Sequence, residues 1–335
     1  MNNEVDMNKY SIRTDLALDY IGNQKLEGVK VKERTRDGIT ITKVNLNKKN
    51  ALNKKKGTYI TLEFEDCTDS KNREKIIKVL TMELKKIFHF NDNDNILIVG
   101  LGNNESTPDS LGPEVLKDII VTNHIYELDN LSTKYRRVCA VNPGVMGTTG
   151  IETSKIIEGI VKIQKPNYLI VIDALASSSI ERLTHTIQIT DTGIHPGSGI
   201  GNKRKEISFE TLGIPVLAIG VPTVVDSKTL VADTINFIYK NYAFNKTYLN
   251  TNKSKLTFNN VNYLNYNIKE NKKDKEKLLG LIGTLNTIEL NKLIYEVLNP
   301  IGLNLMVTPK EIDFTIKELA SIISHSLNMS IHNKK

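Results

Sequence analysis

The sequence predicts an α/β fold: a three-layer, open, mostly parallel sheet with added strands and C-terminal helices. Three observations carry this. Short, almost continuous apolar runs recur through the middle of the chain, at Asn95–Gly100, Tyr168–Ile172 and Val216–Val221, the pattern of strands buried on both faces. Amphipathic helical stretches alternate with these runs through short links. The chain has 335 residues and is 39% hydrophobic, enough to build a large core and too apolar for a disordered chain.

The elements follow in order. Thr35–Asn45 (TRDGITITKVN) and Gly57–Glu65 (GTYITLEFE) alternate and are rich in β-formers, with Asp37-Gly38 as a turn before the first strand. The polar stretch Lys48–Lys56 reads as an exposed connection. Ser70–Phe90 is helical, because Ile76, Ile77, Leu80, Leu84 and Ile87 form one apolar stripe. After the Asn95–Gly100 strand, Leu111–Ile120 reads as a helix with Pro113 near its start. Arg137–Val141 is a further short strand. The loop Asn142–Gly150 leads into the helix Glu152–Lys162. Thr184–Thr190 reads as an edge strand and Ser227–Tyr239 as a helix. Asn241–Lys277 is rich in Asn, Lys and Tyr and reads as an extended surface insertion or disordered loop. Helices are expected again at Leu278–Leu298 and Asp313–Leu327.

Composition narrows the function classes. Lys and Arg number 45 against 38 Asp and Glu, a net charge of +7. Much of that excess sits in the Lys-rich connection after Asn45 and around Lys269–Lys277, so it is weak support for nucleic-acid binding, and no direct nucleic-acid partner is expected. Cys67 and Cys139 are the only cysteines, which excludes a disulfide scaffold and a four-cysteine zinc site. No secretory signal or membrane span is expected; the reading is a cytoplasmic protein.

Open α/β sheets bind ligands at the carboxyl ends of their strands. Glu105 and Asp109 follow the Asn95–Gly100 strand, Asp173 follows Tyr168–Ile172, and Asp226 follows Val216–Val221. Asp109 and Asp173 form the sharpest pair. Two nearby carboxyls share a proton because like charges drive their pKa values apart; one then acts as general base on water and the other as acid. The bland alternatives are a helix-start residue at Asp109 and a backbone-bonded strand-end carboxylate at Asp173. Gly197–Gly201 (GSGIG) suits a phosphate, an extended peptide close to its backbone, or a plain flexible loop. His195 with carboxylates is a weak metal-site candidate. No phosphate loop, complete dinucleotide fingerprint or serine elbow is present.

Long motifs add more. YSIRTDLA (Tyr10–Ala17), LIVGLGNNESTPDSLGP (Leu97–Pro113), AVNPGVMGTTGIET (Ala140–Thr153), VIDALASSS (Val171–Ser179), DTGIHPGSGIGNKRKEIS (Asp191–Ser208), GIPVLAIGVPTVVD (Gly213–Asp226) and VTPKEID (Val307–Asp313) stand in this order. With them the chain resembles the spore germination proteases, endopeptidases that degrade small acid-soluble spore proteins. The resemblance implies a fold related to hydrogenase-maturation peptidases, a homotetramer in the spore core, and an atypical aspartic-type enzyme without metal or cofactor. Its two essential aspartates fall on Asp109 and Asp173. It also implies a zymogen whose leader, residues 1–15, is removed by cleavage between Asp15 and Leu16, leaving a single α/β domain over 16–335 with a low-complexity insertion near 241–277. Substrates would be cut after an acidic residue, with Lys203, Arg204 or Lys205 receiving its carboxylate beside Gly197 and Gly199. Arg13 is a candidate partner for a site carboxylate. The competing readings are a metal-dependent peptidase using His195 and carboxylates, and a non-enzymatic module binding DNA or spore proteins.

Overall fold

The computed structural model describes residues 14–20, 26–52, 54–126, 135–197, 204–248, 261–268, 271–298 and 305–332. The chain divides into two compact units. The larger comprises Arg13–Ser177, Glu181–Val224 and Thr308–Lys335; the smaller comprises Met1–Ile12, Ser178–Ile180 and Val225–Val307.

In chain order the elements are β1 (Val29–Arg36), β2 (Ile39–Leu46), β3 (Gly57–Glu63), α1 (Ser70–Ile87), β4 (Asn95–Gly100), α2 (Leu111–Leu116), α3 (Asn123–Tyr126), β5 (Arg137–Val141), α4 (Met146–Thr149), α5 (Thr153–Gln164), β6 (Tyr168–Ser177), β7 (Thr186–Thr190), α6 (Phe209–Leu212), β8 (Val216–Asp226), α7 (Ser227–Tyr248), α8 (Lys272–Leu279), α9 (Thr287–Leu298), β9 (Met306–Val307) and α10 (Ile312–Ile331).

The sheet of the larger unit runs β1-β2-β3-β7-β8-β6-β4-β5. β4 pairs in parallel with β5 and with β6, and the added strands β1, β2, β3 and β7 pair antiparallel. Alternate residues of the parallel strands feed two cores. Ile96, Ile98, Ile170 and Ile172 pack with Ile76, Leu80, Leu84, Leu319 and Ile323 from α1 and α10. Leu97, Val99, Leu169 and Val171 pack with Ile157 and Val161 of α5. Apolar residues on both faces of each strand therefore demand a helix layer on each side, which is the three-layer arrangement. α1 starts where the Asp69 side chain accepts from the Asn72 N–H, a standard N-cap contact.

Several elements differ from the sequence reading. Asp37-Gly38 does not precede the first strand; it closes a hairpin between β1 and β2, with φ of 53° and 82°, as a tight two-residue turn requires. β1 was hidden because VKVKERTR is charged and exposed, as befits a sheet edge. β7 is not an edge strand: β3 and β8 flank it and all its residues are buried. β6 extends to Ser177, so Asp173 lies inside the strand, because Ala174, Leu175 and Ala176 continue its apolar run. In the smaller unit α7 reaches Tyr248, Val225 and Asp226 of β8 pair antiparallel with β9, and the expected Leu278–Leu298 helix is interrupted by a tight turn at Gly280–Thr284. Leu290 and Ile294 of α9 pack on Ala232 of α7. Among the described residues no helix is long and apolar enough to cross a membrane.

Candidate active site

β4 and β6 lie side by side, ending their pairing at Gly100 and Ile172. The next residues carry the site. Past Gly100 the chain turns back on itself so tightly that side chains are excluded. A Cβ on Gly100 would lie 2.4 Å from the Gly112 carbonyl oxygen, and one on Gly112 would lie 2.3 Å from that of Leu101. At Gly102 φ is +115° and a Cβ would sit 1.9 Å from the Asp109 carbonyl oxygen, so only glycine fits. The Asn103 N–H donates to that oxygen (3.0 Å), and the Asp109 N–H donates to Ser106 O (2.8 Å). Thr223 of β8 donates its hydroxyl to Pro108 O (2.7 Å). Asp109 therefore ends a one-turn helix, Thr107–Asp109, held by its own loop and by Thr223 of β8.

Asp173 is 7% exposed, and its Oδ1 accepts from the Ala174 N–H (2.9 Å). Burial first, then the negative charges of Asp109 and Asp15, push its carboxyl well above the usual carboxylate range. Burial also raises Asp109, opposed by the Asn103 backbone N–H and the positive charge of Arg204. Each group thus disfavours ionisation, and the charge on Asp109 is felt at Asp173. Such a pair titrates as a unit.

The basic candidates separate. Arg204 exerts its charge on both aspartates. Lys205 does not face them: its N–H donates to Glu152 (2.8 Å) and its ammonium pairs with Glu158 (3.2 Å). The loop carrying both is closed by reciprocal backbone hydrogen bonds between Ile194 and Ile207. Gly197 lies in that loop with φ of 71°; Gly199, Lys203 and Arg13 lie outside the described residues. His195 approaches Glu206 (3.7 Å). Among the described residues no three His, Cys, Asp or Glu side chains form a group able to hold a metal ion. Asp226 is engaged by Lys228 (3.2 Å).

The residues around Asp15 and Leu16 are built into the same unit. The Asp15 N–H donates to Ala176 O, and the Ala176 N–H donates to Asp15 Oδ2, both at 3.0 Å. Leu16 and Ala17 are fully buried. Gln188 of β7 accepts from the Ala17 N–H (2.7 Å) and donates to Asp15 O (3.4 Å). Asp19, whose side chain is inaccessible, pairs with Arg182, which also reaches Glu63 (3.1 Å). Sequence reasoning missed Gln188, Asp19 and Arg182. A glutamine within the apolar TIQIT run was the available signal, since a buried amide requires partners.

The family model described as germination protease matches residues 11–335. The whole chain is 45% identical to a germination protease of Bacillus cereus (strain AH187) and 44% identical to one of Bacillus mycoides (strain KBAB4), in each case across 97% of the relative. A germination protease of Bacillus anthracis is 44% identical over the same shares. Among solved structures, a [NiFe] hydrogenase maturation protease HycI from Thermococcus kodakarensis KOD1 shares 19% identity with a TM-score of 0.29, over 42% of this chain and 80% of that one. By its match along nearly its full length, the chain belongs to the germination protease family and is a protease.

Proposed function

We propose that this germination protease hydrolyses peptide bonds after acidic residues, with Asp109 and Asp173 acting together on a water molecule. Its substrates are small acid-soluble spore proteins, whose degradation it initiates during spore germination. The observation that supports the chemistry is one pair of carboxyls, Asp109 in the loop beyond β4 and Asp173 in β6 just past the end of the β4–β6 pairing, both raised by burial and one raised further by the other.

Asp173, the more deeply buried, holds the shared proton. Asp109, raised less by burial and opposed by the Asn103 N–H and the Arg204 charge, is the ionised partner and takes a proton from water as general base. The water oxygen bonds to the scissile carbonyl carbon while Asp173 donates to the carbonyl oxygen. The C–N bond then breaks: the leaving nitrogen takes up the proton collected by Asp109, and a hydroxyl proton of the diol returns to Asp173 as the new carboxyl group forms. Arg204 steadies the negative charge on the dyad. Membership of a protease family replaces the reading as a non-enzymatic binding module.

The same reading makes the chain a zymogen cut between Asp15 and Leu16, a homotetramer, and a spore-core protein. A fold relationship to hydrogenase-maturation peptidases rests on the sequence motifs alone. Asp109→Asn and Asp173→Asn, tested on a spore-protein substrate, should each lose activity by at least about a hundredfold, the contribution of a positioned acid or base, with an unchanged circular dichroism spectrum. Full activity in either variant would overturn the dyad.

A further inference from the structure

β4 stops pairing with β6 at Ile172, and β6 runs on to Ser177. On this overhang Ala176 exchanges two hydrogen bonds with Asp15, one through the Asp15 main chain and one through its carboxylate. Gln188 lies opposite Gly220 in the β7–β8 ladder, so no side chain on that neighbour obstructs its amide. Its two ends straddle the Asp15–Leu16 bond: the Nε2 donates to the carbonyl before the bond, and the Oε1 accepts from the Ala17 N–H beyond it. Gln188 is itself only 5% exposed.

Cleavage at Asp15–Leu16 has a definite consequence for these groups. Leu16 and Ala17 stay with the enzyme, and their severed end must draw back from the Gln188 oxygen before a second peptide can lie across the amide. Departure of Asp15 removes the partners of three others: the Ala176 N–H, the Ala176 carbonyl and the Gln188 amide N–H. Buried polar groups without partners are costly. The three call for a carboxylate, a main-chain N–H and a main-chain carbonyl, which one acidic residue in an extended peptide supplies together, in the manner of strand addition.

We propose that the Ala176 rim of β6 and the Gln188 amide form the subsite that holds the acidic residue and the scissile carbonyl of a peptide, occupied here by Asp15 and, after processing, by an acidic segment of the substrate. The proposal rests on the reading of Asp15–Leu16 as the processing junction. It assigns acid recognition to Ala176, and Lys54 adds to it: burial lowers its ammonium below the usual range, and the charges of Asp15 and Asp19 oppose that shift. Gln188 touches the substrate carbonyl directly, on the oxygen where negative charge develops as water adds.

The test uses the full-length chain, with leader removal followed by intact-mass spectrometry. Asp15→Ala and Gln188→Glu should each slow cleavage at Asp15–Leu16 by about tenfold or more, the effect of losing one hydrogen bond to the substrate. Gln188→Glu keeps the side-chain size and the acceptor oxygen and, when ionised, loses the donor; Asp15→Ala leaves everything beyond the leader intact. Once processed, Gln188→Glu should also lower kcat/KM about tenfold for a synthetic peptide spanning Ile12–Asp19. Wild-type protein cut at another bond, or left uncut, overturns the junction reading and this proposal with it. Wild-type protein cut at Asp15–Leu16, with Gln188→Glu cutting leader and peptide at wild-type rates, overturns the subsite alone. Slowed leader removal with unchanged peptide cleavage overturns the claim that the two share it.

Discussion

Gly102→Ala is the most demanding test of how the loop after β4 holds Asp109. The added methyl would lie 1.9 Å from the Asp109 carbonyl oxygen, against an ordinary contact of 3.4 Å or more, so the loop must open by about 1.5 Å. At φ of +115° an alanine also carries backbone strain of about 1–3 kcal/mol. Parting the two strands of the loop breaks the Asn103 N–H bond to Asp109 O, worth about 1 kcal/mol. Together these give a loss of about 2–4 kcal/mol in urea unfolding. Activity should suffer more, because displacing a catalytic group by about 1 Å costs on the order of a hundredfold in rate. Gly159→Ala is the control. Nothing lies within 4 Å of its Cβ position and it sits inside α5, so it should stabilise by about 0.5–1 kcal/mol and leave the rate unchanged. A folded Gly102→Ala protein that hydrolyses a spore protein at the wild-type rate would refute the argument that this glycine places Asp109.

Three further outcomes are expected. The Asp173 pKa is higher folded than unfolded, so its burial costs nothing below the ordinary value of 3.8 and an increasing amount as pH rises toward the folded value. Asp173→Asn should therefore raise the melting midpoint at neutral pH, with the gain fading as pH falls below about 4; an equal gain at all pH values would contradict the raised pKa. Arg204 lowers both carboxyls, so Arg204→Gln should shift the acidic limb of the pH–kcat profile to higher pH, and an unmoved limb would remove Arg204 from the site. Arg182→Ala removes the guanidinium from the inaccessible Asp19 carboxylate, leaving it the more distant charge of Lys54, and should destabilise by about 2–4 kcal/mol in urea unfolding; a change under about 1 kcal/mol would show that the pair is solvated.

How much of this was legible depended on how local each signal is. Asn95–Gly100 is legible to the residue because a strand buried on both faces is apolar almost throughout, and Arg137–Val141, a partly buried edge strand, shows the same short apolar run. The β1 strand is not legible, because its edge position is satisfied by charge, and charge is also what loops carry. The turn at Asp37-Gly38 was recognised as a turn and misplaced for the same reason. The break at Gly280, where φ is +59°, is marked in the sequence only by a glycine, which a helical pattern tolerates at modest cost.

By itself the sequence determined the α/β class, the family, and two aspartates following the apolar runs of neighbouring strands, since each is written in short runs of consecutive residues. Only the tertiary structure decided what those aspartates experience. Burial, and the approach of residues far apart in the chain, raise their pKa values, bring the Arg204 charge to bear on them and turn Lys205 toward Glu158. The same holds for Gln188, which meets Asp15 and Ala17 across more than half the chain. Hydrogen bonds and charges act through space over a few ångströms, and no periodicity along a sequence encodes which distant segment will arrive within that range.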